Sequence, residues 1–173
     1  RYGENPHQEA IFFGELETNF YKRNGKELSY NNLVDVDSAV SLMAEFKKSE
    51  PTFAILKHTN ACGVATRPTV LQAWKDALAA DPVSAFGGVL ICNKQIDEAT
   101  AREIDELFYE VLIAPSFSDE ALAVLSAKKN RILLQLHTYP KATQQVKSIL
   151  DGYIVQDMDH LTEDLATIKV ATN

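Results

Sequence analysis

"PTFAILKHTNACGV" (residues 51–64) changes character abruptly at its middle. Residues 52–58 are short, apolar and bounded by Pro51 and a polar turn, which is the pattern of a buried strand. Lys57 and His58 close it side by side, and Asn60, Cys62 and Gly63 follow at once. Such a cluster at a strand end reads as an active-site lip, a metal site or a plain polar loop. The segments on either side decide among these.

Downstream, strands and helices alternate. Residues 68–81 have helical periodicity, with Pro68 and Thr69 at the start. "FGGVLICN" (86–93) is a strand opened by glycines, and 97–109 is a helix whose first-turn acids suit the macrodipole. Residues 110–115 form a strand, 118–129 a helix with Ser118 as N-cap, and 131–136 another strand. Upstream, "EAIFFGEL" (9–16) has strand character. "RNGKELSYNN" (23–32) turns at Asn24-Gly25 and enters an extended segment. Val36, Val40, Leu42, Met43 and Phe46 then mark an amphipathic helix over 35–48.

This alternation predicts parallel strands joined by crossover helices, hence a three-layer α/β/α fold. Ligands in such sheets gather beyond the carboxyl ends of the strands. That rule puts Lys57-His58 at one candidate position and Ala114-Pro115 at another. "DPVSAFGG" leads into a strand instead of following one, so its glycines are read as points of close backbone approach. The pattern weakens after residue 138, where 152–159 and 166–172 suggest a hairpin or connecting ribbon.

Composition narrows the function. The net charge of −7 argues against non-specific nucleic-acid binding, which needs clustered Lys and Arg on phosphates. No apolar run approaches the roughly 18–20 residues of a membrane span, and no charged-then-apolar leader is visible. The two cysteines, Cys62 and Cys92, form no short-spaced pair, so a reduced, cytoplasmic protein is expected. The chain opens on "RYGENPHQ" without Met and stops just after a strand-like run, so a piece of a longer protein is expected.

Metal chemistry fits poorly. A zinc deaminase carries H-x-E and a later P-C-x-x-C, whereas the position two after His58 is Asn60 and neither cysteine has a near partner. Cys62 makes a weak nucleophile candidate, since one upstream His does not ensure a thiolate; a small packed residue is the simpler reading. Cys92 reads as core. "AFGG" (85–88) has no phosphate-loop spacing, although an exposed Phe86 offers a stacking face for a ring. In "RYGENPHQ", Asn5-Pro6 fixes a turn, and Arg1 has the planar fork that suits a phosphate. His137 and His160 read as surface or packing residues.

Taken together, "RYGENPHQ", "LSYNNLVD", "KHTNACGVA" and "DPVSAFGGV", in this order and spacing, closely resemble the formyltransferase part of the bifunctional purine biosynthesis family. That family fuses 5-aminoimidazole-4-carboxamide ribonucleotide (AICAR) formyltransferase to inosine monophosphate (IMP) cyclohydrolase. Its members usually read K-H-x-N-P-C-G, where this chain has Ala61 in place of the proline, a change expected to loosen the turn slightly.

The resemblance implies formyl transfer from 10-formyltetrahydrofolate, as cosubstrate, to the 5-amino group of AICAR. It also implies a cytidine-deaminase-like α/β/α fold without catalytic zinc, a cytoplasmic homodimer, and no nucleic-acid or membrane partner. Matched to the family motifs, Lys57 and His58 are the catalytic pair, and Glu110 falls where some relatives carry a catalytic-site aspartate. Arg1, Tyr2, Asn31, Asn32, Asn60, Phe86 and Gly87 are the implied substrate-binding residues. Residues 1–137 correspond to the first α/β/α half of the formyltransferase domain, and 138–173 to a segment leading towards the second half. The cyclohydrolase domain is expected before Arg1, and the formyltransferase site is expected to need a second half and a second subunit as well, so the isolated piece is expected to be inactive. A rival reading is a non-catalytic nucleotide-binding or oligomerisation module of the same fold. The adjacent acid–base pair favours the enzyme. For both members of that pair to reach one substrate, the chain must bend near Thr59–Gly63, which Gly63 permits.

Overall fold

The computed structural model describes residues 3–159, 161 and 165–171. Six segments pair into one mixed sheet: β1 (Phe20–Asn24), β2 (Thr52–Lys57), β3 (Asn60–Thr66), β4 (Val89–Cys92), β5 (Val111–Ala114) and β6 (Ile132–Leu136). Their spatial order is β1-β6-β5-β4-β2-β3. Four helices cover it: α1 (Tyr30–Glu45), α2 (Val70–Ala80), α3 (Glu98–Asp105) and α4 (Asp119–Leu125).

Alternation along each strand makes the layers. Phe53, Ile55, Leu90, Cys92 and Leu112 face one way and pack with Trp74 and Ala77 of α2, Ile104 of α3 and Leu125 of α4. Ala54, Leu56, Val89, Ile91 and Ile113 face the other way and pack with Val36, Val40 and Met43 of α1. The central strands are buried on both faces, as near-continuous apolar runs predict. The three-layer α/β/α fold follows.

Strand direction differs from the expected all-parallel sheet. Only β4, β5 and β6 run parallel. β2 is antiparallel to both β3 and β4, and β1 is antiparallel to β6. The cause is a strand that the sequence reading took for a turn: residues 60–66 form β3 and hydrogen-bond straight back onto β2. A short turn can join strands only in antiparallel sense.

Other boundaries also move. Residues 9–16 form no strand: Ile11 and Phe13 are exposed, and the segment ends in a 3-10 turn at Leu16–Thr18 before β1 begins. "SYNN" is not extended but opens α1. Ser29 Oγ accepts from Asn32 N at 3.1 Å, and Asn32 Oδ1 accepts from Ser29 N at 3.2 Å. That is a capping box with Asn in place of the usual Glu or Gln. Thr69 caps α2, which starts at Val70. Ser118 caps α4 through Ala121 N. Near the end of the chain, β7 (Gln144–Ile149) pairs with β8 (Gly152–Asp157) in a hairpin. The expected second strand at 166–172 is absent among the described residues, where Leu165–Thr167 is a 3-10 turn instead. Contacts divide the chain into two compact units, 1–139 and 140–173.

Gly63 marks the closest approach of α2 to the sheet. A Cβ there would lie 2.0 Å from the Ala77 carbonyl oxygen, which is backbone and cannot swing aside. Gly63→Ala is therefore expected to destabilise the protein by about 1–3 kcal/mol, read as a lower urea midpoint at unchanged slope. Val64→Ala, at a partly exposed neighbour, should cost about 0.5 kcal/mol or less. Equal midpoints for the two variants would contradict this packing.

Candidate functional site

The β2–β3 ladder closes at Lys57 opposite Asn60, leaving His58 and Thr59 as a two-residue turn. Both sit in left-handed backbone, with φ of 50° and 65°, the conformation of a type I′ hairpin turn. For residues with a Cβ this costs roughly 1–2 kcal/mol each. Local bonds offset it: Thr59 Oγ1 donates to the His58 carbonyl at 2.6 Å, and Asn60 Nδ2 donates to the same oxygen at 2.8 Å. Thr59 N donates to Asp35 Oδ1 of α1 at 2.8 Å. His58 is thereby held at an exposed tip.

The bend is completed at His58–Thr59, so Gly63 is not its hinge as expected. Gly63 instead admits α2. Ala61 lies in β3, not in the turn. Ile55 pairs with Gly63 and Leu56 with Ala61, so Cys62 forms a bulge between them. Ala61, in the family's proline position, thus lies beside a ladder irregularity, where a sheet tolerates proline.

Because β2 runs antiparallel to β4, its carboxyl end meets the entry ends of β4 and β5: Leu56 faces Val89, and Val89 faces Val111. The candidate residues converge there. Lys57 Nζ donates to the Phe86 carbonyl at 2.6 Å. Gly87 N, at φ 74°, donates to the Phe108 carbonyl at 2.8 Å, and Glu110 N donates to the Gly88 carbonyl at 3.0 Å. Asn32 Nδ2 donates to Glu110 Oε2 at 2.6 Å, and Asn31 Nδ2 donates to the Glu4 carbonyl at 3.3 Å. Lys57, His58, Asn60, Phe86, Gly87, Glu110, Asn31 and Asn32 thus share one end of the sheet. Ala114-Pro115 closes β5 at the opposite end of the sheet, away from Lys57-His58. Arg1, Tyr2 and His160 lie outside the described residues.

Two of these side chains differ in kind from the rest. Asn32 is buried and has both ends of its amide engaged, one in the helix cap and one on Glu110. Phe86 is exposed and leans on exposed Phe108, with ring centroids 5.0 Å apart at 41°. Sequence reasoning missed Asp35 and Phe108. Asp35 stood inside the quoted "LSYNNLVD" but was read as a helix start, and Phe108 was absorbed into the 97–109 helix.

Neither cysteine is primed as a nucleophile. Burial pushes the Cys62 thiol above its usual pKa, with Asp81 adding to the rise and Lys57 opposing it. Burial pushes Cys92 to about 12. Among the described residues, no three or more His, Cys, Asp or Glu side chains are grouped to hold a metal ion, and no helix is long and apolar enough to cross a membrane. His137 stacks on Tyr21 at 4.3 Å and reaches the Glu17 carbonyl at 3.1 Å, a packing role.

A family model described as "AICARFT/IMPCHase bienzyme" matches residues 1–173. The chain is similar to the "Bifunctional purine biosynthesis protein PurH" of Bacteroides thetaiotaomicron, with 53% identity over 173 residues, covering 100% of this chain and 34% of that protein. The proteins of the same name from Enterococcus faecalis and Acetivibrio thermocellus are each 43% identical, covering 99% of this chain and 35% of their own length. The chain therefore spans about a third of the length of these curated relatives.

The raised thiol pKa of Cys62 means little thiolate at neutral pH, and the fraction grows as pH rises. Iodoacetamide should alkylate native Cys62 more slowly than a free thiol at pH 7.5, a probe condition within about one unit of the free thiol pKa. The rate should keep climbing past the ordinary thiol range, and Cys92 should react only on unfolding. Rapid modification of Cys62 at neutral pH would contradict this.

Proposed function

Because the chain belongs to the AICARFT/IMPCHase bienzyme family, we propose that it forms part of the AICAR formyltransferase site, with Lys57 and His58 as the reacting pair. Residues 1–137 would be the first half of that domain and 138–173 the lead into the second. In this reading the native protein also carries IMP cyclohydrolase in a preceding domain and works as a cytoplasmic homodimer, and the 173-residue piece alone is inactive. The observation that carries the reading is the hairpin tip. It presents His58 beside Lys57 at the sheet end where Phe86, Gly87 and Glu110 gather. Two consecutive non-glycine residues in left-handed backbone are a cost that folds retain where presentation matters. A merely structural turn would do better with Asn-Gly.

The chemistry suits those groups. The AICAR amine is a poor nucleophile, because its lone pair is conjugated into a ring bearing a carboxamide. Its attack on the formyl carbon of 10-formyltetrahydrofolate forms the new C–N bond and creates a positive nitrogen and a negative oxygen together. Neutral His58 takes the amine proton. Lys57, one of whose N–H groups is spent on the Phe86 carbonyl, has two left to stabilise the oxyanion or the departing folate nitrogen. The C–N bond to folate then breaks, and that nitrogen leaves with a proton. Phe86 supplies a stacking face, Asn31 and Asn60 polar contacts, and Asn32 holds Glu110 in place. Arg1 and Tyr2 are assigned to the nucleotide on the family motif.

The test belongs in the full-length enzyme. His58→Ala should lower turnover by about 10²–10⁴-fold with little change in AICAR binding. Lys57→Ala should lower it by about 10²–10³-fold. Because both act in one proton-and-charge event, the double variant should fall far short of the product of the singles. Cys62→Ser should leave turnover nearly unchanged. If Cys62→Ser abolished turnover while His58→Ala only weakened binding, the cysteine would be the reacting group and the proposal would fail.

A further inference from the structure

α1 lies across the sheet on a buried stripe of Val36, Val40 and Met43, and its first turn is locked by the Ser29–Asn32 capping box. Two side chains three residues apart on this helix, and so on one face, reach the candidate site. Asn32 holds Glu110 at 2.6 Å. Asp35, half-buried, accepts from Thr59 N at 2.8 Å. The ladder uses Lys57 and Asn60, so Thr59 N–H falls between rungs. Both bonds that cap the His58 carbonyl come from within the turn itself. Asp35 is what ties that turn to the rest of the protein among the described hydrogen bonds.

We propose that Asp35 is a positioning residue for His58: its carboxylate fixes the left-handed His58–Thr59 turn against α1, and through Asn32 the same helix sets Glu110. One rigid element would then hold the base and the carboxylate in register, without Asp35 touching substrate. The inference rests on the reading that His58 is the base. A two-residue turn free to pivot would misplace the imidazole by an ångström or so, and a misplacement of that size costs up to about 10²-fold in rate.

The test is steady-state kinetics of the full-length enzyme, with urea midpoints as a folding control. Asp35→Ala should lower kcat by about 10- to 100-fold and leave the KM for AICAR nearly unchanged. Asp35→Asn, which keeps an oxygen to accept from Thr59 N–H, should retain most of the turnover. A kcat for Asp35→Ala within about twofold of the parent, while His58→Ala is crippled, would overturn the inference and leave the formyltransferase reading standing. So would an Asp35→Asn loss as deep as that of Asp35→Ala, since charge and not position would then be the cause. Full turnover in His58→Ala would remove both.

Discussion

The antiparallel entry of β2 into an otherwise parallel core is the constraint on which the site depends. In a doubly wound sheet with every strand parallel, Lys57 and the residues just before β4 would lie at opposite ends. Here β3 folds straight back on β2, and β2 pairs antiparallel with β4. The carboxyl end of one strand thus meets the amino ends of two others. That reversal brings the Lys57 ammonium to the Phe86 carbonyl and puts Glu110, at the mouth of β5, within reach of α1. Without it, the same residues would be divided between the two ends of the sheet.

Close backbone approach makes the arrangement dense enough to hold. α2 presses on β3 where Gly63 has no side chain, and the loop before β4 presses on β2 at Gly88, where a Cβ would lie 2.6 Å from the Leu56 carbonyl oxygen. Polar anchoring continues next door to Glu110. Ile132 N donates to the Glu110 carbonyl at 3.0 Å, and buried Arg131 stacks its guanidinium 4.2 Å from the Tyr109 ring centroid while pairing with Asp105. Burial alone would push the Asp105 carboxyl up, but Arg131 and Lys128 outweigh it and hold it below the usual range. A site whose floor is tied down in this way loses little entropy when a substrate arrives.

The layers were legible because they follow from periodicity. Apolar runs at 52–58, 86–93, 110–115 and 131–136 read as buried strands by their length and flanking turns, and the helices between them carried recognisable starts at Pro68-Thr69 and Ser118, whereas Asp97 is the cap of α3 and not a residue of its first turn. The candidate residues were legible as motifs, not as geometry. β3 escaped because "NACGVAT" is built of small and polar residues, and its inward positions, Gly63 and Ala65, are small where α2 packs on the sheet. Ser29 escaped as a cap because Asn32 stands where the capping-box pattern expects the longer Glu or Gln. Asp35 escaped because one hydrogen bond to a backbone N–H leaves no trace in sequence spacing.

The account is tested most directly by a crystal structure of the full-length enzyme with AICAR bound. The nucleotide should lie at the end of the sheet where β2 closes and β4 and β5 open, with its amine within about 2.6–3.2 Å of the His58 imidazole, or one water away. The Phe86 ring should lie against its base, and the Asp35–Thr59 bond should be intact. A nucleotide seated beyond Ala114-Pro115, at the other end of the sheet, with His58 pointing to solvent, would contradict the account.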